Sequence, residues 1–153
     1  MTILPYDFEE SPGAWVCATA RAFRKAMDEE LAPLGITFPQ WQVLACLAQD
    51  GELSQSELAH RLEVEPPTLV GVLARMERAG WIGRRNCPTD RRKRLYRPRP
   101  RVAPVWRRLV ECARRVRARA TRGLAPRQLR QVKGALASMR AHVGAPARAK
   151  EIA

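Results

Sequence analysis

The stretch from Glu52 to Arg101 places the tightest constraint on the fold. Its centre is the run Glu65-Pro-Pro-Thr-Leu-Val-Gly-Val-Leu-Ala-Arg-Met-Glu-Arg-Ala-Gly80. An acid followed by Pro66 and Pro67 marks a helix start, because proline has no amide proton to leave unpaired in a first turn. Leu69, Leu73 and Met76 recur at spacings of four and three, which predicts one inward apolar stripe, with Thr68, Gly71, Val72 and Arg75 pointing outward. Gly80 supplies the left-handed cap that ends the helix. Just upstream, Leu53 to Leu62 reads as a shorter helix in which Ser54 is the N-cap and Glu57, three residues on, completes a capping box. Two short helices joined by a tight turn, the second with small residues outward, predict a helix-turn-helix.

The residues that follow predict a wing. Trp81 to Asn86 is strand-like, Cys87-Pro-Thr-Asp90 is a turn, and Arg91 to Tyr96 returns as the second arm of a hairpin. Between Arg84 and Arg101 there are nine Lys or Arg residues and one acid, Asp90. No core strand hides that many charges, so the hairpin is expected to be exposed and to suit a phosphate backbone. The fold class expected is therefore mainly α with a small β wing: a winged helix-turn-helix carried on a helical domain.

The net charge of +13 is concentrated in one part of the chain. Residues 1–83 are net acidic, whereas residues 84–133 hold nineteen basic and two acidic residues. An excess placed in the wing and the helices after it is the distribution of a surface that meets a polyanion. Read by residue type, Thr68, with Pro67 and Gly71 beside it, is expected to approach bases in the major groove, and Ser54 and Gln55 to touch phosphate. Arg75, Arg84, Arg85, Arg91, Arg92, Lys93 and Arg94 complete the expected DNA-binding surface.

These motifs resemble the MarR-type bacterial transcription regulators, and within them the SlyA-like branch. The resemblance runs from about Ala14 to Val143 and is carried by Ile36-Thr-Phe-Pro-Gln-Trp41, Leu53-Ser-Gln-Ser-Glu-Leu-Ala59, Glu65-Pro-Pro-Thr-Leu-Val70, Arg75-Met-Glu-Arg-Ala-Gly-Trp-Ile82 and Asn86-Cys-Pro-Thr-Asp-Arg-Arg92. The last is the most specific, since the family's wing carries Asp-x-Arg at this turn. The resemblance implies that Asp90 holds Arg92 for insertion into the minor groove. It also implies a homodimer built by the terminal helices, a palindromic operator, repression, and release by a small acid. Two departures stand out. Gly71 occupies a recognition-helix position where SlyA-like proteins carry arginine, and Pro98-Arg-Pro-Arg101 replaces the usual Leu-Thr step after the wing, leaving Pro100 to open the next helix near Val102.

The rest of the chain reads as helices. Val16, Ala20, Phe23, Met27, Leu31 and Leu34 form an amphipathic stripe from Trp15 to Leu34 that ends at Gly35. Thr37 caps a helix through about Gln49 in which Trp41, Leu44 and Leu47 face a core. After the wing, Val105, Leu109, Cys112, Val116 and Ala120 mark a helix broken at Gly123, and Leu129, Val132, Leu136, Met139 and Val143 mark the last, opened by Pro126. The terminal stripes have little to cover inside one small chain, which predicts interleaving with a second copy. The expected partition is a helical dimerisation domain from residues 1–36 and 102–143, a DNA-binding domain at 37–101, and a frayed tail at 144–153.

Nothing in the chain supports an enzyme or a cofactor: there is no Gly-rich phosphate loop, and the only histidines are His60 and His142. Neither a signal peptide nor a run near 20 apolar residues occurs, so a cytoplasmic protein is expected. Cysteines 17, 46, 87 and 112 lack metal spacing. Cys17, Cys46 and Cys112 are expected to pack as small core residues, and Cys87, flanked by arginines in the wing, is the redox candidate. Phe38 and Trp41, with Trp15 and Trp106 opposite, border the cleft where the resemblance places an effector, an aromatic carboxylate or its acyl-coenzyme A thioester. Arg107, Arg108, Arg114, Arg115, Arg117, Arg119 and Arg122 add a dense basic helix. Two alternatives stay open: a redox regulator acting through Cys87, and an architectural or RNA-binding protein, for which Tyr96 is the wing's single aromatic platform.

Overall fold

The computed structural model describes residues 9–90 and 92–144. Its element order is α1 (Pro12–Leu31), a 3-10 turn (Ala32–Leu34), α2 (Phe38–Asp50), β1 (Leu53–Ser54), α3 (Gln55–Leu62), α4 (Pro66–Arg78), β2 (Ile82–Asn86), β3 (Arg94–Pro98), a second 3-10 turn (Pro100–Val102), α5 (Ala103–Ala120) and α6 (Pro126–His142). The chain is mainly α, with one small antiparallel sheet of order β1-β3-β2. Among the described residues no single helix is long and apolar enough to cross a membrane.

The chain forms two compact units, the first ending at Val116 and the second beginning at Arg117. This division is one of packing within a single chain, and it falls inside α5.

The first unit is built around α2. Val43 and Leu44 are fully buried and Leu47 nearly so, and Trp41, Ala45 and Cys46 are buried beside them, so this helix is apolar on most of its circumference, as a core helix must be. Its start is held twice: Gln40 accepts the Thr37 amide at 3.0 Å, and Asp28 accepts the Phe38 amide at 2.7 Å. Leu31 of α1, Leu58 of α3, Leu73 and Met76 of α4, Ile82 of β2 and Leu109 of α5 close around it. Each such side chain contributes about 1.5–3 kcal/mol on burial.

Several boundaries differ from the sequence reading for local reasons. Leu53, expected inside the helix, pairs instead in β1 with Tyr96 of β3, while Ser54 pairs with Leu95 and also caps the helix as expected, so the helix begins at Gln55. Trp81 lies past the end of α4 but is tied back to it, its amide donating to the Met76 carbonyl at 2.9 Å, so β2 starts at Ile82. The second wing arm, expected from Arg91 to Tyr96, pairs over Arg94–Pro98. The amides of Arg92 and Lys93 are already taken by Asp90, so ladder pairing waits for Arg94 opposite Asn86.

The expected stripe of α1 is only half used. Met27 and Leu31 are buried, but Trp15, Val16 and Phe23 are 64%, 39% and 41% exposed. In the second unit α6 buries nothing, and Val132 and Leu136 stand open to solvent. Gly123 turns the chain with φ 81°, as the break there requires. Of the expected frayed tail, residues 145–153 lie outside the described residues.

Candidate nucleic-acid interface

The helix-turn-helix forms as the two capping sequences demand. The Ser54 amide donates to Glu57 Oε2 at 2.7 Å and the Glu57 amide to Ser54 Oγ at 3.3 Å, with the hydroxyl and carboxylate 2.6 Å apart. These contacts hold Glu57 below the usual carboxylate range, the Ser54 hydroxyl being the main cause and its amide the second. Ser54 is consequently buried and spent on its cap, and it does not offer phosphate a free hydroxyl. Gln55 donates from Nε2 to the Pro66 carbonyl at 3.3 Å, tying α3 to the first turn of α4. Between the helices Glu63 adopts φ 53°, a left-handed turn on a residue that is not glycine.

On α4, Leu69, Leu73 and Met76 are buried as expected, but Val72 is also buried, at 8% exposure, so it does not belong to the outward face. Its angular position lies between Leu69 and Met76 on a helix of 3.6 residues per turn, inside the core stripe. Pro67, Thr68, Gly71 and Arg75 are exposed, joined by Val70 at 53%.

The wing presents its charges unevenly. Lys93, Arg94 and Arg92 are exposed. Arg84 pairs with Glu77 of α4 at 3.2 Å, and Arg85 donates through Nε to Glu52 at 2.8 Å. Surface pairs of this kind contribute little, so either arginine can exchange its carboxylate for a phosphate at small cost. The Asp90 carboxylate accepts the main-chain amide of Arg92 at 2.9 Å, and the Asp90 carbonyl accepts that of Lys93 at 3.0 Å. The acid thus shapes the loop backbone that carries Arg92. Arg91 lies outside the described residues.

Tyr96 is 7% exposed, packed in the core beneath the sheet, which removes the stacking platform an RNA reader needs from the wing. Cys87 is half-buried, its Sγ 3.3 Å from Thr89 Oγ1. That hydroxyl first, then the Thr89 and Asp90 amides, draw the thiol below its ordinary range, against the opposing effects of burial and the Asp90 charge. Hydrogen bonds at the turn, rather than neighbouring arginines, cause the shift. Cys46 and Cys112 are buried, but Cys17 is exposed on the uncovered part of α1, contrary to the core role expected of it.

Of the expected effector residues, Trp41 and Trp106 come together, their rings stacked 5.5 Å apart at 28°. Phe38 is half-buried near the start of α2, while Trp15 is exposed in the first turn of α1 and donates from Nε1 to the Glu9 carbonyl at 2.7 Å. Trp106 also lines a cleft of about 900 Å³ with Leu44, Ala48, Arg84, Arg97 and Arg99. In the basic helix Arg115 pairs with Glu30 at 2.8 Å and Arg114 with Glu111 at 3.8 Å. Among the described residues no three His, Cys, Asp or Glu side chains gather as metal ligands do.

Sequence reasoning passed over Arg101. Its guanidinium lies 4.4 Å above the Trp81 ring centre and donates to the Ala79 carbonyl at the C-terminus of α4. It is the last arginine of the alternation Arg97-Pro-Arg-Pro-Arg101, which by itself does not mark it out, and it sits in the 3-10 turn Pro100–Val102 after β3.

An exposed helix of small residues beside a two-arm basic hairpin defines a winged helix-turn-helix protein. Residues 36–93 match the model of the MarR family. An uncharacterised HTH-type transcriptional regulator of Bacillus subtilis, YwoH, is 39% identical over 77 residues, 50% of this chain and 56% of that protein. The chain thus matches about half the length of that curated relative. Two solved structures share the fold. A mutant MarR from E. coli complexed with operator DNA has a TM-score of 0.78 at 22% identity, covering 83% of this chain and 91% of that one. CouR from Rhodococcus jostii, bound to p-coumaroyl-CoA, has 0.78 at 18% identity, covering 95% and 100%.

Proposed function

We propose that the protein is a homodimeric, sequence-specific regulator of transcription that represses from palindromic double-stranded operators and is released by a small anionic ligand. The observation that carries the reading is the exposed face of α4 set beside a wing whose Arg92, Lys93 and Arg94 are open to solvent. A small-residue helix face enters the major groove, and the wing arginines follow the backbone into the narrower groove, where negative potential is enhanced. The MarR structure bound to operator DNA supports this use of the fold.

Dimerisation is supported by the apolar residues that the single chain leaves open on α1 and α6, Phe23 and Leu136 among them. In that assembly residues 1–36 and 102–143 form the dimerisation domain and 37–101 the DNA-binding domain.

The cleft lined by Leu44, Trp106, Arg84, Arg97 and Arg99 suits an aromatic acid or its acyl-coenzyme A thioester. Its apolar floor buries a ring while a guanidinium pairs with the acid or a phosphate. CouR, the neighbour bound to p-coumaroyl-CoA, supports that chemistry. The cleft also borders Val102, next to the Arg101 that clamps the end of α4. A ligand that binds the DNA-incompetent spacing of the two recognition helices better than the competent one shifts the equilibrium by that differential affinity.

A second reading, redox control through Cys87, is favoured by its lowered pKa at a half-buried turn. The experiment is footprinting on the promoter beside the protein's own gene at physiological salt, with titration by aromatic acids, acyl-coenzyme A esters and peroxide. A protected palindrome released by one ligand in a variant with all four cysteines replaced by serine supports the reading. Equal binding to random DNA refutes it. Release by peroxide alone, abolished by Cys87→Ser, moves control to the thiol.

A further inference from the structure

The exposed face of α4 has a central row, Pro67, Gly71, Ala74 and Arg78, at spacings of four, three and four. Gly71 sits in mid-helix, where glycine is less favourable than alanine because it surrenders more backbone freedom. Its backbone gives no reason for it, since Gly71 is not among the residues of positive φ. What remains is the space a side chain would fill. A Cβ built on Gly71 meets Nη1 of Arg75 at 3.3 Å and Cζ at 4.0 Å. The Arg75 guanidinium therefore lies back over the glycine, one turn nearer the N-terminus than its own Cα.

We propose that Arg75 reads a guanine in the major groove by reaching over Gly71, so that the pair together sets the sequence preference of each half-site. The inference rests on the DNA-binding reading above and names a specificity determinant within it. The direction of reach matters, because the N-terminal part of a recognition helix lies deepest among base edges. A guanidinium over Gly71 is carried from the flank of the helix to the middle of its exposed face. Its planar donors match the paired O6 and N7 acceptors of guanine, a fit that lysine cannot reproduce.

The guanidinium is also uncommitted. The ion pairs of the fold engage Arg24, Arg61, Arg84, Arg85, Arg114 and Arg115, and among the described residues no carboxylate pairs with Arg75. Asp28 of α1, which with Arg75 lines a separate hollow at the start of α2, already accepts the Phe38 amide at 2.7 Å.

The test is selection of binding sites from random duplex DNA by the full chain and its Arg75→Ala, Arg75→Lys and Gly71→Ala variants, followed by measured affinities for single base-pair changes. The wild type is expected to enrich one strongly preferred G·C pair per half-site, whose replacement weakens binding on the order of 10- to 100-fold. Both Arg75 variants should erase that preference and leave the others in place, with no further loss when the base pair is changed as well. Gly71→Ala favours the helix, so it folds, yet it should weaken the same preference several-fold by displacing the guanidinium. Uniform weakening across all sequences by Arg75→Ala, with a salt slope shallower by about one, marks a phosphate contact and overturns the proposal. Unchanged preferences in Gly71→Ala overturn the role of the glycine. Failure of the wild type to enrich any site refutes the regulator reading itself, an outcome distinct from either.

Discussion

Arg101→Ala removes one side chain that does two things at the end of the recognition helix. The guanidinium stacks 4.4 Å over Trp81, and at an exposed site such a contact is worth about 0.5–1 kcal/mol. It also donates to the Ala79 carbonyl, one of the acceptors left unpaired where α4 ends. In competition with water that hydrogen bond contributes about 0.5–1 kcal/mol, a figure that includes the attraction of a cation to the helix C-terminus. The expected destabilisation is about 1–2 kcal/mol, which lowers the urea midpoint by about 0.5–1 M for a chain of this size. The assay is equilibrium urea unfolding followed by tryptophan fluorescence, with protein concentration held fixed because association contributes to apparent stability. Arg101→Lys keeps the charge but loses the planar stack, so it should fall between wild type and alanine. A double-mutant cycle with Trp81→Leu should return a coupling of about 0.5–1 kcal/mol. Arg101→Ala within about 0.3 kcal/mol of wild type would refute the clamp, since exposed side chains without a partner change stability by no more than about 0.5 kcal/mol.

The capping box gives a pH signature. Glu57 has its folded pKa lowered by Ser54, so its contribution is complete above the ordinary Glu range and lost as pH falls through the folded value. The stability difference between wild type and Glu57→Gln should shrink across that acidic window, and a difference constant from pH 7 to pH 2 would contradict the assignment. Cys87, in a Cys17→Ser background, should be alkylated with a pH midpoint below that of a free thiol and move upward in Thr89→Val, while buried Cys46 and Cys112 stay unreacted until unfolding. Arg92→Ala should weaken operator binding by about 1–3 kcal/mol. Asp90→Ala should weaken it too, although it removes a negative charge, because Asp90 shapes the backbone that presents Arg92. Asp90→Asn keeps an acceptor and should bind at least as well as wild type, so tight binding by Asp90→Ala would sink the orienting role.

What the sequence made legible here was whatever depends on neighbours in the chain. The caps at Ser54 and Gly80 and the core triad Leu69, Leu73 and Met76 follow from local rules, and each appears where those rules put it. Readings failed where a residue had two possible partners and the winner lay far away in sequence. Ser54 fits a phosphate contact by type, but pairing Leu53 with Tyr96 draws it into the sheet and buries it. Val72 was assigned outward by a stripe drawn too narrow; a helix packed on α2 buries a wider arc than three residues mark. Tyr96 is the one wing aromatic that could serve as a stacking platform, but on β3 its side chain turns inward, opposite its neighbours Leu95 and the exposed Arg97. Arg101 is the clearest case. Nothing within its own segment distinguishes it from Arg97 or Arg99, and only the approach of residues 99–102 to the end of α4, fixed by the Arg99 amide donating to the Trp81 carbonyl at 2.9 Å, sets its guanidinium over the tryptophan. The segment that leaves the wing is therefore bonded to the end of the recognition helix on one side and leads into α5 on the other, so a displacement of either helix is felt at both.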